Sequence, residues 1–92
     1  MPYEVLLSDD AFEVLQSLDK KSKNICKKNL EKLSQPYPGR GDKERLVVAG
    51  EEVYRLHIGR TYTAFYIIDE KAKVIRVIEL LSIEAAHKKY GY

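Results

Sequence analysis

Arg55 and His57 stand two residues apart in Val53 to Ile58, a stretch in which apolar and polar residues alternate. A strand repeats every second residue, so Tyr54, Leu56 and Ile58 share one face and Val53, Arg55 and His57 take the other. The apolar set belongs against a core, which sends the guanidinium and the imidazole together to the opposite side of a sheet. A guanidinium grips a phosphate through two parallel hydrogen bonds, and an imidazole moves a proton near neutral pH. If Gly59-Arg60 forms a two-residue turn, His57 lies opposite Tyr62 and Arg55 opposite Ala64, with Tyr66 on the same face. That face then carries a cation, an imidazole and two phenols, with Arg60 at the turn and Arg45 where the β pattern begins. Tyrosines stack on unpaired bases, so the mixture suits RNA. The plain alternative is a polar sheet face turned to solvent.

A second group closes the chain. In Ala86-His-Lys-Lys-Tyr-Gly-Tyr92, His87 and Tyr90 are three apart and share a helix face, so both can address one site. Lys88 and Lys89 lie on neighbouring faces, where they hold phosphates or simply complement a helix dipole. A purely structural role would instead dock Ile83, Ala86 and Tyr90 on the sheet. The candidate catalytic set is therefore Arg55, His57, His87 and Tyr90, and the candidate RNA-binding set is Arg45, Arg60, Tyr62, Lys88 and Lys89. Two histidines without a nearby cysteine or paired carboxylate make a poor metal site, and no glycine loop for phosphate is present. No metal and no cofactor is expected.

The elements that must position these residues follow from periodicity. Tyr3 to Leu7 reads as a strand, and Ser8 caps a helix whose Ala11, Val14, Leu15 and Leu18 form one apolar stripe. Asp19 interrupts it. A second helix follows, with Ser22, Ile25, Cys26, Leu30 and Leu33 inward and six lysines from Lys20 to Lys32 outward, against a single glutamate. Those lysines are either a solvated face or a basic surface for RNA or an acidic partner. Cys26 sits in the buried stripe and reads as a small core residue. Two prolines and two glycines make Gln35 to Asp42 a loop. Strands are expected at Leu46–Val48, Val53–Ile58, Thr61–Ile68 and Val74–Leu81, the last three as an antiparallel meander joined at Gly59-Arg60 and Asp69 to Lys71. Ser82 caps a last helix from Ile83 to Tyr90, ended by Gly91.

The order defines an α+β fold: a strand and helical hairpin packed on a three- to four-stranded antiparallel sheet, closed by a short helix. Ninety-two residues make one domain, 1–92. A lone cysteine excludes an internal disulfide and suits a reducing cytoplasm; no signal peptide or long apolar span is seen, and no membrane association is expected. The net charge of +2 is too small to argue for nucleic acid by itself, so the distribution of charge has to carry that question.

Over nearly its whole length the chain resembles the RelE/ParE toxin superfamily. The resemblance rests on the opening strand and hairpin, on Pro36-Tyr-Pro-Gly-Arg-Gly-Asp42 leading to Lys43-Glu-Arg-Leu46, and above all on Tyr54-Arg-Leu-His-Ile-Gly59, which is similar to the family's Tyr-Arg-Leu-Arg-Val-Gly. Tyr62 to Tyr66 and Ile68-Asp69 continue it. It implies a cognate antitoxin from a neighbouring gene that wraps the toxin, and for RelE-like members the ribosome and mRNA, cleaved in the A site. ParE-like members instead poison DNA gyrase, and a degenerate member would only bind its antitoxin. Arg55 matches the first basic strand position, and His57 replaces the second. The family's next arginine falls on Thr63 or Tyr62, and its arginine before the last helix falls in Leu81-Ser-Ile83. Its terminal tyrosine falls on His87 or Tyr90, according to the gap. The resemblance implies a 2′-hydroxyl attack with His87 or His57 as base, Tyr90 assisting, and Arg55 with Arg60 on the phosphate.

Overall fold

The computed structural model describes residues 3–35 and 43–90, with the side chain of Tyr90 excepted. Residues 36–42 of the loop expected over Gln35 to Asp42, and the terminating Gly91, lie outside the described residues. The first strand, β1 (Glu4–Leu7), leads into α1 (Asp9–Ser17) and α2 (Lys20–Glu31), followed by a single 3₁₀ turn over Lys32–Ser34. Then come β2 (Lys43–Val48), β3 (Glu51–Ile58), β4 (Tyr62–Asp69), β5 (Val74–Ser82) and α3 (Ile83–Tyr90). The class is the expected α+β, with one strand more in the sheet, because β1 joins it. The sheet order is β1-β5-β4-β3-β2, with β1 parallel to β5 and every other pair antiparallel. A parallel pair needs a crossover, and the α1–α2 hairpin with β2 to β4 supplies it.

Local chemistry sets the element ends. Ser8 accepts a hydrogen bond from the Ala11 amide at 3.1 Å and donates its hydroxyl to the Ile78 carbonyl at 2.9 Å, so one side chain caps α1 and ties it to β5. Asp19 does more than interrupt the first helix: it caps α2, accepting from the Ser22 amide. That bonding to Ser22, through side chain and backbone alike, holds the Asp19 carboxyl below its ordinary value. β2 and β3 meet in a two-residue turn at Ala49 and Gly50, both at positive φ (52° and 81°), the type I′ form that suits the twist of paired strands. Glycine adopts that conformation freely, whereas at Ala49 it costs strain.

The main core lies between the helices and one face of the sheet. Ala11, Leu15, Cys26, Leu30 and Leu33 meet Tyr54, Leu56, Ile58, Ala64, Tyr66, Ile75, Val77 and Leu80. Burial pushes the Cys26 thiol up, away from the thiolate that a nucleophile requires. Ile25, expected in the buried stripe, is 41% exposed, because it stands at the edge of that stripe. Among the described residues no helix is long and apolar enough to cross a membrane.

The second sheet face is not left bare. Val53, Phe65 and Ala86 are buried together there, with Leu46, Val48, Ile67, Ile78 and Leu81 packed around them. Ala86 belongs to α3, so the closing helix docks on the face opposite α1 and α2. A register shift in β5 permits this: Phe65 pairs with Glu79 and Tyr66 with Val77, leaving Ile78 as an extra residue. The bulge lets Ile78 join the same cluster although its neighbour Glu79 pairs on that face too.

Candidate functional site

Arg55 and His57 do project from the face opposite the helical hairpin, since Tyr54, Leu56 and Ile58 fill the main core. Their partners differ from those expected. The connection between β3 and β4 holds three residues, Gly59, Arg60 and Thr61, so Ile58 pairs with Tyr62, His57 with Thr63 and Arg55 with Phe65. One added residue in a turn moves every partner to the other face. Tyr62 therefore packs half-buried against the main core, and Tyr66 is fully buried there, stacked on Tyr54 with ring centroids 5.5 Å apart. Neither phenol shares the Arg55 face. A threonine and a phenylalanine stand in their places.

What the sequence reading did not foresee is Glu44. β2 pairs it with Arg55 across the strand boundary, and both face away from the hairpin. Arg55 Nη2 donates to Glu44 Oε1 at 2.8 Å and lies 3.0 Å from His57 Nε2, while His57 Nε2 is 3.2 Å from the same carboxylate oxygen. The signal was present in Lys43-Glu-Arg-Leu46: residues alternate along β2, so Glu44 faces one way and Arg45 the other. Only the register joins Glu44 to the site.

The three groups form a triangle with one ambiguous proton. An imidazole Nε2 that carries hydrogen donates to Glu44; a bare Nε2 accepts from Arg55. The cluster thus accommodates His57 in either form, with a carboxylate or a guanidinium as the matching neighbour. The Arg55 side chain is only 14% exposed, against 34% for His57 and 46% for Glu44. Its Nε is buried without a hydrogen-bond partner among the described residues, so the guanidinium retains an unused donor.

The other candidates are dispersed. Arg45 pairs with Tyr54, which puts it on the hairpin side, where it is ion-paired with Glu52. Arg60 is exposed at the β3–β4 turn. That turn is tied to α3, because the Ile83 amide donates to the Thr61 carbonyl at 2.8 Å. Lys89 is ion-paired with Glu79, itself opposite Phe65, and Lys88 reaches Glu84 at 4.0 Å one helical turn back. His87 is exposed on α3 beside the buried Ala86, and the side chain of Tyr90 lies outside the described residues. The closing helix thus docks by Ala86, while Ile83 is 36% exposed. Among the described residues no cluster of histidine, cysteine and carboxylate groups could hold a metal ion.

No protein-family model matches the sequence, and no curated protein does. Solved structures match closely in shape. The archaeal RelE–RelB complex from Pyrococcus horikoshii contains a chain 28% identical, with a TM-score of 0.72 over 89% of this chain and 96% of that one. The fold of this chain is that of the RelE/ParE toxin superfamily. The RelBE2 toxin–antitoxin complex from Mycobacterium tuberculosis shares the RelE-like fold at 20% identity, with a TM-score of 0.75 over 89% and 99% of the two chains. The YoeB dimer from Staphylococcus aureus shares it at 21% identity and a TM-score of 0.66, over 86% and 94%. The sheet of that fold is present here, with Arg55 and His57 both on β3.

Proposed function

We propose that this protein is the toxin of a toxin–antitoxin pair and that it cleaves mRNA on the ribosome by transphosphorylation. The observation that carries the reading is the contact of Arg55, His57 and Glu44 on one sheet face. The ribose 2′-hydroxyl attacks the adjacent phosphorus, the bond to the 5′-oxygen breaks, and the products are a 2′,3′-cyclic phosphate and a 5′-hydroxyl. His57 takes the proton of the 2′-hydroxyl, with Glu44 orienting the imidazole. Arg55 turns its guanidinium from Glu44 to the phosphate, where it opposes the charge that develops at phosphorus. His87, exposed on α3, returns a proton to the 5′-oxygen; Tyr90 assists it, and Arg60, Lys88 and Lys89 flank the strand. The partner is an antitoxin, as in the matched RelE–RelB complex.

Primer extension on mRNA from cells expressing the protein tests this. Wild type should give discrete cuts, and His57→Ala or Arg55→Ala should lose about two to four decades of cleavage while remaining folded. Growth inhibition without cuts, unchanged in both variants, would refute the nuclease. One observation favours a second reading. Arg55 and Lys89 already face Glu44 and Glu79, and a neutralised face suits a surface that only binds, as a ParE-like inhibitor of DNA gyrase would. Supercoiling by purified gyrase distinguishes the two.

A further inference from the structure

The ion pairs of this molecule are unevenly spread. On the sheet, the turns and α3, Arg45, Arg55, Lys73, Arg76, Lys88 and Lys89 each have a carboxylate within reach. The lysines of the second helix, and Lys32 in the 3₁₀ turn that follows it, do not. Among the described residues, none of Lys20, Lys21, Lys23, Lys27, Lys28 and Lys32 meets an acidic group, and only Lys23 and Lys32 bond at all, to Gln16 and Asn29. The modest net charge of +2 conceals a strongly basic helix face, while most of the described cations elsewhere, Arg60 and Lys71 apart, have an acidic partner.

From this segregation we infer that the outer face of α2 binds the phosphate backbone of double-helical RNA, on the side of the molecule opposite the Arg55 cluster. At about 100° per residue the lysines fall in two rows, Lys20 with Lys27 and Lys21 with Lys28 and Lys32. Each row runs roughly parallel to the helix axis, with about 10 Å between residues seven apart. Two rows meet two lines of phosphates, as the facing strands of a duplex provide, whereas one flexible strand follows a single row. Lysine is depleted from the desolvated centre of protein interfaces, which disfavours a protein partner on the lysine rows themselves; the exposed Phe12 lies beside them, in the groove that Lys27 and Glu31 border, and Ile25 stands at their margin. The inference rests on the RNA-directed reading above only for the choice of RNA over DNA. It adds a second contact that the cleaved strand cannot itself make, since α2 and the Arg55 cluster lie on opposite sides of the sheet.

Fluorescence anisotropy with a labelled 20-base-pair RNA duplex, a single-stranded RNA of equal length and polyglutamate tests it on the full chain. Four neutralised phosphates give a log–log salt slope near −3.6, so duplex affinity should fall about a hundredfold between 50 and 200 mM salt. The double variant Lys21→Glu/Lys28→Glu changes two exposed positions, and circular dichroism shows whether α2 persists. It should weaken duplex binding at least tenfold, while Lys71→Glu, an equal charge reversal at an exposed turn lysine outside α2, leaves it unchanged. Duplex affinity indifferent to the lysine reversal overturns the inference. So does tighter binding of the single strand, which moves the ligand to the Arg55 face, or of polyglutamate, which makes the partner an acidic protein. Binding is read without cleavage, so failure here and failure of the nuclease are separately visible.

Discussion

Removing the Glu44 carboxylate should cost more stability than its half-exposed position suggests. Glu44 Oε1 lies 2.8 Å from Arg55 Nη2, and at an effective dielectric constant near 20 the gross attraction is about 6 kcal/mol. Desolvation offsets most of it. Exposed pairs are worth about 0.2 to 1 kcal/mol, and breaking a buried pair costs about 3 to 5 kcal/mol. With Arg55 14% and Glu44 46% exposed, the pair falls between these limits, and about 1 to 2 kcal/mol of coupling is expected. Glu44→Ala strands a largely buried guanidinium, whereas Arg55→Ala leaves only a half-exposed carboxylate, so the first variant should be the less stable of the two. Urea unfolding of both single variants and the double variant measures the coupling directly. For a denaturant slope near 1 kcal/mol per M, the Glu44→Ala midpoint falls by about 1 to 2 M. A coupling energy below about 0.3 kcal/mol, with the single effects simply adding, would refute the triangle as a unit. His57→Ala in the same cycle should reduce the coupling only in part, since Arg55 and Glu44 touch without it.

Leu30→Ala should cost about 2 to 5 kcal/mol in urea unfolding, because Leu30 is 5% exposed in the main core, and a loss under about half a kcal/mol would contradict that packing. Ala49→Gly should stabilise by roughly half to one kcal/mol, since it relieves a positive φ that alanine resists; a lower midpoint would argue against the type I′ turn. Asp19 has its carboxyl held below the ordinary value of 3.8, so its contribution is complete above that pH and disappears as pH falls through the lowered value. Asp19→Asn, which keeps a capping acceptor, should therefore show a shallower loss of melting temperature below about pH 4 than the wild type does.

Much of this structure was legible in the sequence, and the failures have a common cause. Ser8, the Ala11–Leu15 stripe and the inward Tyr54, Leu56 and Ile58 are local patterns, and each stands as read. The errors arise where one residue of spacing decides a face. The three-residue turn at Gly59–Thr61 takes Tyr62 and Tyr66 from the Arg55 side to the core, and nothing in Gly59-Arg60 distinguishes it from a two-residue turn. The bulge at Ile78 is equally silent, and so is the pairing of β1 with β5, about seventy residues away in sequence. Glu44 enters the candidate site only through pairing between strands, which alternation along a single strand does not reveal. Of the residues expected to dock α3, Ala86 is buried and Ile83 is exposed, while the side chain of Tyr90 lies outside the described residues.

The parallel pairing of β1 with β5 also orders events during synthesis. β1 and α1 leave the ribosome first, yet their main packing surface is β5, which pairs Glu4 to Leu7 with Val74 to Val77 and anchors the Ser8 hydroxyl at Ile78. Until residue 82 has cleared the exit tunnel, the apolar stripe of α1 has no sheet to cover it, and a closure over so long a stretch of chain is slow. The N-terminal hairpin therefore remains open and uncommitted until β5 is available to pair with β1. Whatever this chain does once folded, it cannot begin until its last strand is made.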